Sequence, residues 1–278
     1  MSNSHRTITN LSIEGMVKTL EGVVILFVAL VALECRSEEE VSQNATVSSS
    51  NEETTKPKRL VQNSPLPNSC TSFDTCQIEC PDDGKMVRQN NRAVFCQKGL
   101  QKHGRLVVWY DKHHKEAEVF VFDGKRQGKA VFWYRNGRKE QESVFKDNVR
   151  HGRSTRWYQN GQIEEDGYFK DGQILGKCSV WYENGIRKVE AEWKNGRLHG
   201  KVDLWHENGQ KAADTHFREG KPHLKVVLWY ENGQLAMDSK GIDGTPLLRQ
   251  CWNKRGEKAN CIEVWNDVGS VFNDLMSQ

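Results

Sequence analysis

WYENG occupies residues 181–185 and recurs letter for letter at residues 229–233. Near-copies read WHENG at 205–209, WYQNG at 157–161 and WYRNG at 133–137, each beginning 24 residues after the one before. Trp109 stands another 24 residues upstream, and Trp252 follows Trp229 by 23. Seven copies at one period mark an array of a single supersecondary unit, a unit too small to bury its own apolar face and therefore stacked on its neighbours.

The contents of one period decide the secondary structure. Five residues ahead of the Trp there is usually a glycine (Gly104, Gly128, Gly152, Gly176, Gly200), and twelve residues after it an aromatic recurs as Phe145, Phe169, Trp193 and Phe217. That aromatic leads into a second turn signal, as in Lys170-Asp171-Gly172 and Lys194-Asn195-Gly196. Asn-Gly and Asp-Gly between short runs of Val, Trp, Tyr and Phe are hairpin signals, because tight turns need positive φ and these residues tolerate it. Two turns in each period leave two strands of about eight residues. Leu106, Val108 and Tyr110 alternate with Val107 and Trp109, so both faces of the sheet carry apolar or aromatic side chains. The expected fold is all-β, an elongated antiparallel meander of stacked β-hairpins with about 14 strands that extends roughly 65 Å at about 4.8 Å per strand.

With the pattern G-x-x-x-x-W-Y-x-N-G-x, then an aromatic, Lys, Asp/Asn-Gly and His-Gly, residues 101–265 resemble the MORN-repeat variant of bacterial proteins of the YwqK antitoxin family. The Cys80-Pro81 to Cys96 segment resembles the lead-in of exported members. The resemblance implies stacked hairpins in a long curved sheet that binds partners, with antitoxin or immunity roles, and it supplies no catalytic motif. The chain departs from the pattern at Lys112-His113 in the first copy, at Leu224 before the sixth Trp and in the shortened seventh copy. Terminal repeats of an array break the consensus in this way.

The amino-terminal region reads as an export segment over residues 1–35, with Met16 as the expected start. Residues 22–33, GVVILFVALVAL, are an apolar run too short to span a bilayer, with Lys18 ahead of it. Ala32-Leu33-Glu34-Cys35 resembles the end of a bacterial lipoprotein signal, where the Cys is lipidated, although Glu34 stands where a small residue is usual. Lipidation of Cys35, cleaved secretion and an uncleaved anchor all place the rest of the chain outside the cytoplasm. Residues 36–69 are rich in Ser, Glu, Asn, Thr and Pro and read as a disordered tether. A Cys-rich cap at 70–100, the array at 101–265 and a tail at 266–278 complete the expected organisation.

Eight cysteines suit an oxidising compartment. The spacing of Cys70, Cys76 and Cys80 is not that of a zinc ribbon, so disulfides are expected. Of three possible connectivities in the cap, Cys80 with Cys96 and Cys70 with Cys76 is preferred, and Cys251 with Cys261 closes a hairpin. Cys178 falls at a strand position held by Leu, Ala, Ser or Val in other copies and reads as a small buried apolar residue.

The residues offer no catalytic, cofactor or metal constellation. His103, His151 and His199 recur beside glycines, which turn geometry explains, and there is neither a nucleophile elbow nor a phosphate loop. A net charge of +3 and a pI near 8.3 are too small for a dedicated nucleic-acid binder. What remains is binding. Tyr110, Tyr134, Tyr158, Tyr182 and Tyr230 are candidates for a partner-contacting face, and Arg153 and Arg156, within a basic cluster that includes Arg135, Arg138, Lys139 and Arg150, for an acidic partner or anionic lipid. The expectation is a non-enzymatic module at the envelope that captures a protein, a toxin in an immunity role. The alternative is a structural scaffold on anionic lipid.

Overall fold

The computed structural model describes residues 70–268 except 82, 243 and 244. The expected export segment, the lipidation at Cys35 and the tether lie outside the described residues. Among the described residues, no helix is long and apolar enough to cross a membrane.

Contacts divide the chain after Gln173 into two compact units. The first contains β1 (Lys85–Gln89), β2 (Ala93–Lys98), β3 (Gln101–Trp109), β4 (Lys115–Phe122), β5 (Lys125–Trp133), β6 (Lys139–Lys146), β7 (Val149–Trp157) and β8 (Ile163–Lys170). The second contains β9 (Gln173–Trp181), β10 (Arg187–Lys194), β11 (Arg197–Trp205), β12 (Lys211–Arg218), β13 (Lys221–Trp229), β14 (Leu235–Ile242) and β15 (Thr245–Cys251). Within each unit, strands consecutive in sequence pair antiparallel, which makes each a meander of hairpins. The described strands number 15 rather than about 14 because the Cys-rich segment itself supplies β1 and β2, while the last copy supplies one strand in place of two.

The two turns of each period differ in kind. At the tight turn both central residues have positive φ, as in Asp171 (50°) and Gly172 (77°), the two-residue hairpin geometry that matches strand twist. The WYxNG turn is wider. The Gly137 amide donates to the Tyr134 carbonyl and the Tyr134 amide to the Arg138 carbonyl, both at 2.9 Å, and only Gly137 has positive φ. The tight turn expected at Asn-Gly is here a longer loop closed by a glycine bulge. Its Asn serves through its side chain, since Asn136 Oδ1 accepts the Arg138 amide at 3.0 Å.

The glycine ahead of each Trp also has a local cause. Ser143 pairs with Ser154 and Phe145 with Arg150, so three residues of β7 face Val144 alone and the strand bulges at Gly152. Gly152 takes φ 134°, and a Cβ there would lie 2.9 Å from the Val144 Cβ. Glycine is the residue that this bulge admits.

Direct cross-strand partners share a face. One face carries Trp133, Val131 and Lys129 opposite Lys139, Glu142 and Val144. The other carries Phe132, Ala130 and Gly128 opposite Gln141, Ser143 and Phe145. The phenylalanine face is the buried one: Phe145 packs with Ala117, Val119, Val121 and Ala130 in the first unit, and Trp193, Phe217, Val202 and Leu204 are buried in the second. On the tryptophan face Trp109 alone of the repeat tryptophans is wholly buried. Cys70, Phe73, Cys76 and Ile78 cover it, and the Phe73 ring meets it edge-on at 5.6 Å. Arg88 fastens this cover by donating to the carbonyls of Phe73 and Cys76, with its guanidinium 5.2 Å above the Phe73 ring.

Disulfides join Cys70 to Cys76, Cys80 to Cys96 and Cys251 to Cys261. Cys178 is wholly buried in β9, but it is disulfide-bonded rather than a plain apolar residue. The other six described cysteines pair among themselves, so its partner lies outside the described residues. After Trp252 the chain repeats the wide turn, with the Asn253 amide donating to the Glu257 carbonyl at 2.9 Å. It then forms a helix at residues 261–268 in place of a return strand. Asn260 Oδ1 caps it by accepting the Ile262 amide at 2.9 Å, and Val264 and Val268 are buried. The expected tail boundary at 266 thus falls inside a helix.

Candidate interaction surface

The WYxNG residues bind one repeat to the next. The Tyr134 hydroxyl donates to the Trp157 carbonyl at 2.7 Å, that of Tyr182 to Trp205 at 2.9 Å and that of Tyr230 to Trp252 at 3.1 Å. His206 stands at the Tyr position of its copy and places Nε2 3.0 Å from the Trp229 carbonyl. One layer further out, the Asn side-chain amides reach the following turn: Asn184 Nδ2 donates to Glu207 O at 3.1 Å and Asn208 Nδ2 to Glu231 O at 2.7 Å. Within each unit the pentapeptide recurs because its hydroxyl or imidazole completes the hydrogen bonding of the copy after it.

The tryptophan face holds a second periodic system. Four residues before each of the first six repeat tryptophans stands a cation (Arg105, Lys129, Arg153 in the first unit; Lys177, Lys201, Lys225 in the second), and nine after it an acid (Glu118, Glu142, Asp166; Glu190, Asp214, Asp238). The register brings them together, as in Lys129–Glu142 at 2.7 Å, Arg153–Asp166 at 2.8 Å and Lys177–Glu190 at 3.4 Å. A cation six residues after the Trp lies against the rings: Lys115 Nζ is 5.4 Å from the Trp133 ring centre, Lys139 Nζ 5.6 Å from that of Trp157, and the Arg187 guanidinium 5.7 Å from that of Trp205. Each such contact contributes about 0.5–1 kcal/mol at an exposed site. On these rings a cation lies.

These contacts set the charge states. Burial pushes the Glu142 carboxyl up, but hydrogen bonds from Lys129 and Lys139 outweigh it and hold it below its ordinary value. Asp203 behaves alike under burial and hydrogen bonds from Lys201 and Lys211. Glu140, removed from such donors, is pushed up by burial. Tyr110 is raised by burial and by the nearby Glu140 and Glu116 carboxylates.

The candidate residues fall accordingly. Tyr182 and Tyr230 are buried, and with Tyr134 they use their hydroxyls inside the array. Tyr110 and Tyr158 are half-buried, and the Arg135 guanidinium lies 5.4 Å over the Tyr110 ring. Arg153 is paired with Asp166, and Arg156 with Glu164 and Glu165 at 3.0 and 3.2 Å. His103, His151 and His199 meet the acid of a tight turn at 3.1, 3.1 and 3.2 Å (Asp123, Asp171 and Glu219). No group of three or more His, Cys, Asp or Glu able to hold a metal occurs among the described residues.

What the array leaves outward was not singled out from sequence. In β8 the ring-capping cation is replaced by Ile163, which is 38% exposed opposite Trp157, and Tyr168 is 47% exposed opposite Arg153. Both lie on the tryptophan face. The signal was available: at six and eleven residues past the Trp the period carries Ile163 and Tyr168 where the preceding copy has Lys139 and Val144.

Residues 150–171 and 174–195 match the MORN repeat variant family, each segment running from seven residues before a Trp to fourteen after it. The chain therefore carries MORN-variant repeats. No curated protein matches it.

Proposed function

We propose that this chain is a non-enzymatic protein-binding repeat module, exported and held at the cell envelope, that captures a protein toxin in an antitoxin or immunity role. One observation carries the reading. The constant residues of the repeat are consumed in joining copies, whereas the outward positions of the tryptophan face change from copy to copy: Lys115, Lys139, Ile163, Arg187 and Lys211 at one, Phe120, Val144, Tyr168, Glu192 and His216 at the other. A fixed frame that displays a variable face is how repeat proteins recognise partners. The three disulfides among the described residues fit an oxidising compartment. The scaffold on anionic lipid has less support, because Arg153 and Arg156 already face carboxylates and Arg138 Nη1 donates to Gln159 O at 3.1 Å.

Affinity purification from envelope extract, with wild type beside Ile163→Glu/Tyr168→Ser, tests this. The expected result is one stoichiometric protein held by wild type and lost by the variant, with unchanged circular dichroism. Retention of lipid alone, or of the same proteins by both, overturns the reading.

A further inference from the structure

Six Asn-Gly pairs occur in the chain, and the fold treats one of them differently. Five stand in the wide turns, at Asn136, Asn160, Asn184, Asn208 and Asn232, where both residues of the pair are tied. The Asn Oδ1 accepts the amide two residues on at 2.8–3.0 Å. The glycine amide donates to the carbonyl three residues back at 2.8 or 2.9 Å. Asn184 and Asn208 also commit Nδ2 to the turn that follows.

The sixth pair, Asn195-Gly196, is the tight turn between β10 and β11, with φ 52° at Asn195 and 70° at Gly196. Asn195 is exposed, and its side chain makes no hydrogen bond among the described residues. Other tight turns carry an acid at this place, and each acid is held from the preceding hairpin. His103 meets Asp123 and His151 meets Asp171 at 3.1 Å, Gln127 Nε2 donates to Asp147 at 2.7 Å, and His199 meets Glu219 at 3.2 Å. The corresponding residue for Asn195 is Leu175, whose side chain has no polar atom. The glycine amide differs as well. At its position Gly124, Asn148, Gly172 and Gly220 donate to the carbonyls of Lys102, Arg126, Arg150 and Leu198 at 2.8–3.0 Å, and Gly196 makes no such bond among the described residues.

We propose that Asn195 is a site of spontaneous covalent modification, deamidated by the Gly196 amide nitrogen, while the fold shields the five pairs of the wide turns. Hydroxide takes the Gly196 amide proton, and the nitrogen forms a bond to Asn195 Cγ. The Cγ–Nδ2 bond breaks, and the leaving nitrogen takes a proton from water and departs as ammonia. Water then opens the cyclic imide at either carbonyl, so the sum is side-chain amide plus water to carboxyl plus ammonia. Rotation about the Asn195 Cα–C bond, which brings nitrogen onto Cγ, breaks no hydrogen bond of either reacting group. Opening at one carbonyl leaves an aspartyl residue, the acid that other tight turns carry, here facing Leu175. Opening at the other leaves an isoaspartyl linkage, which adds a carbon to the main chain of a two-residue turn and loosens the tip where Lys194 pairs with Arg197.

Incubation of the full chain in mildly alkaline buffer, followed by peptide mass spectrometry and labelling with an isoaspartyl methyltransferase, tests this. The expected products are aspartyl and isoaspartyl forms at position 195. They form about tenfold or more faster than at any other Asn-Gly pair, since at least two hydrogen bonds must break at each of those before attack. In the urea-unfolded chain the six pairs convert at similar rates, because glycine follows every one of these asparagines. Comparable conversion at Asn184 or Asn208 in the folded chain, no conversion at Asn195, or an equal preference for Asn195 after unfolding overturns the proposal.

Discussion

The Tyr182 hydroxyl donates to the main-chain carbonyl of Trp205 at 2.9 Å, which ties the turn of one repeat to the strand end of the next. Tyr182→Phe removes the donor, keeps the ring and leaves a carbonyl short of a partner. The expected cost is about 0.5–1.5 kcal/mol, measured as a shift of the urea midpoint. Because Tyr134 serves its own latch, a Tyr134→Ser/Tyr158→Ser double variant loses stability as well as ring surface. Tyr→Phe is therefore the substitution that separates binding from folding, and an unchanged midpoint in Tyr182→Phe would show that the latch is dispensable.

Two glycines at the same place in the period should respond differently. Gly128 has φ 67° with nothing within 4 Å of an added Cβ, whereas Gly152 has φ 134° and Val144 Cβ at 2.9 Å. Gly128→Ala should cost about 1 kcal/mol from backbone strain. Gly152→Ala should cost more, about 2–3 kcal/mol, since strain and overpacking add. Equal thermal shifts would mean that the bulge at Gly152 yields.

Acid should loosen the charge ladder from its carboxylates. The Glu142 carboxyl, pushed up by burial but held down more strongly by Lys129 and Lys139, has a folded pKa below the unfolded one. Its contribution is therefore fully present above the usual value of 4.5 and is lost as pH falls through the folded value. Glu140 has the opposite sign: burial raises it, so its ionised form opposes folding at neutral pH. Glu142→Gln should flatten the acid limb of the stability curve, and Glu140→Gln should raise the melting temperature at pH 7 but not at pH 3. Parallel curves for the two variants would refute the assignment.

Thiol chemistry separates the fates of Cys35. Cys178 is disulfide-bonded, and the six other described cysteines are paired with one another. Within one chain the sequence leaves Cys35 alone to meet Cys178, and a lipidated cysteine has no thiol to give. Mass spectrometry of a non-reducing digest is expected to show the Cys178 peptide linked to that of Cys35, with Cys35→Ser freeing one thiol and leaving membrane retention unchanged. A diacylglyceryl adduct on Cys35, with release from membranes in Cys35→Ser, would give the anchoring role to that residue.

The period and the turns were legible in the sequence because their chemistry is local: glycine is demanded wherever φ is positive, as at Gly172 and Gly137. The role of the tyrosines was not. Tyr182 and Trp205 lie 23 residues apart, and only the register shows that an aromatic typical of binding surfaces is occupied inside the sheet. The ion pairs were hidden differently. Arg153 and Asp166 recur at the repeat period, yet a charge read alone in sequence has no direction, and pairing across β7 and β8 gives it one. The caps broke the consensus, so the helix at 261–268 left no periodic trace.

Every hydroxyl latch points the same way along the chain, from a turn to its successor, which makes the array an editable text with a reading direction. Excising residues 183–206 would join Tyr182 to Glu207 and spell Trp181-Tyr182-Glu207-Asn208-Gly209, the same word as before, with Tyr182 now addressing the Trp229 carbonyl. A cut that is not a whole number of periods garbles that word or turns the following strand over. Such a gene is free to grow or shrink by duplication in steps of one whole period, and its ends, clasped by disulfides, need never change.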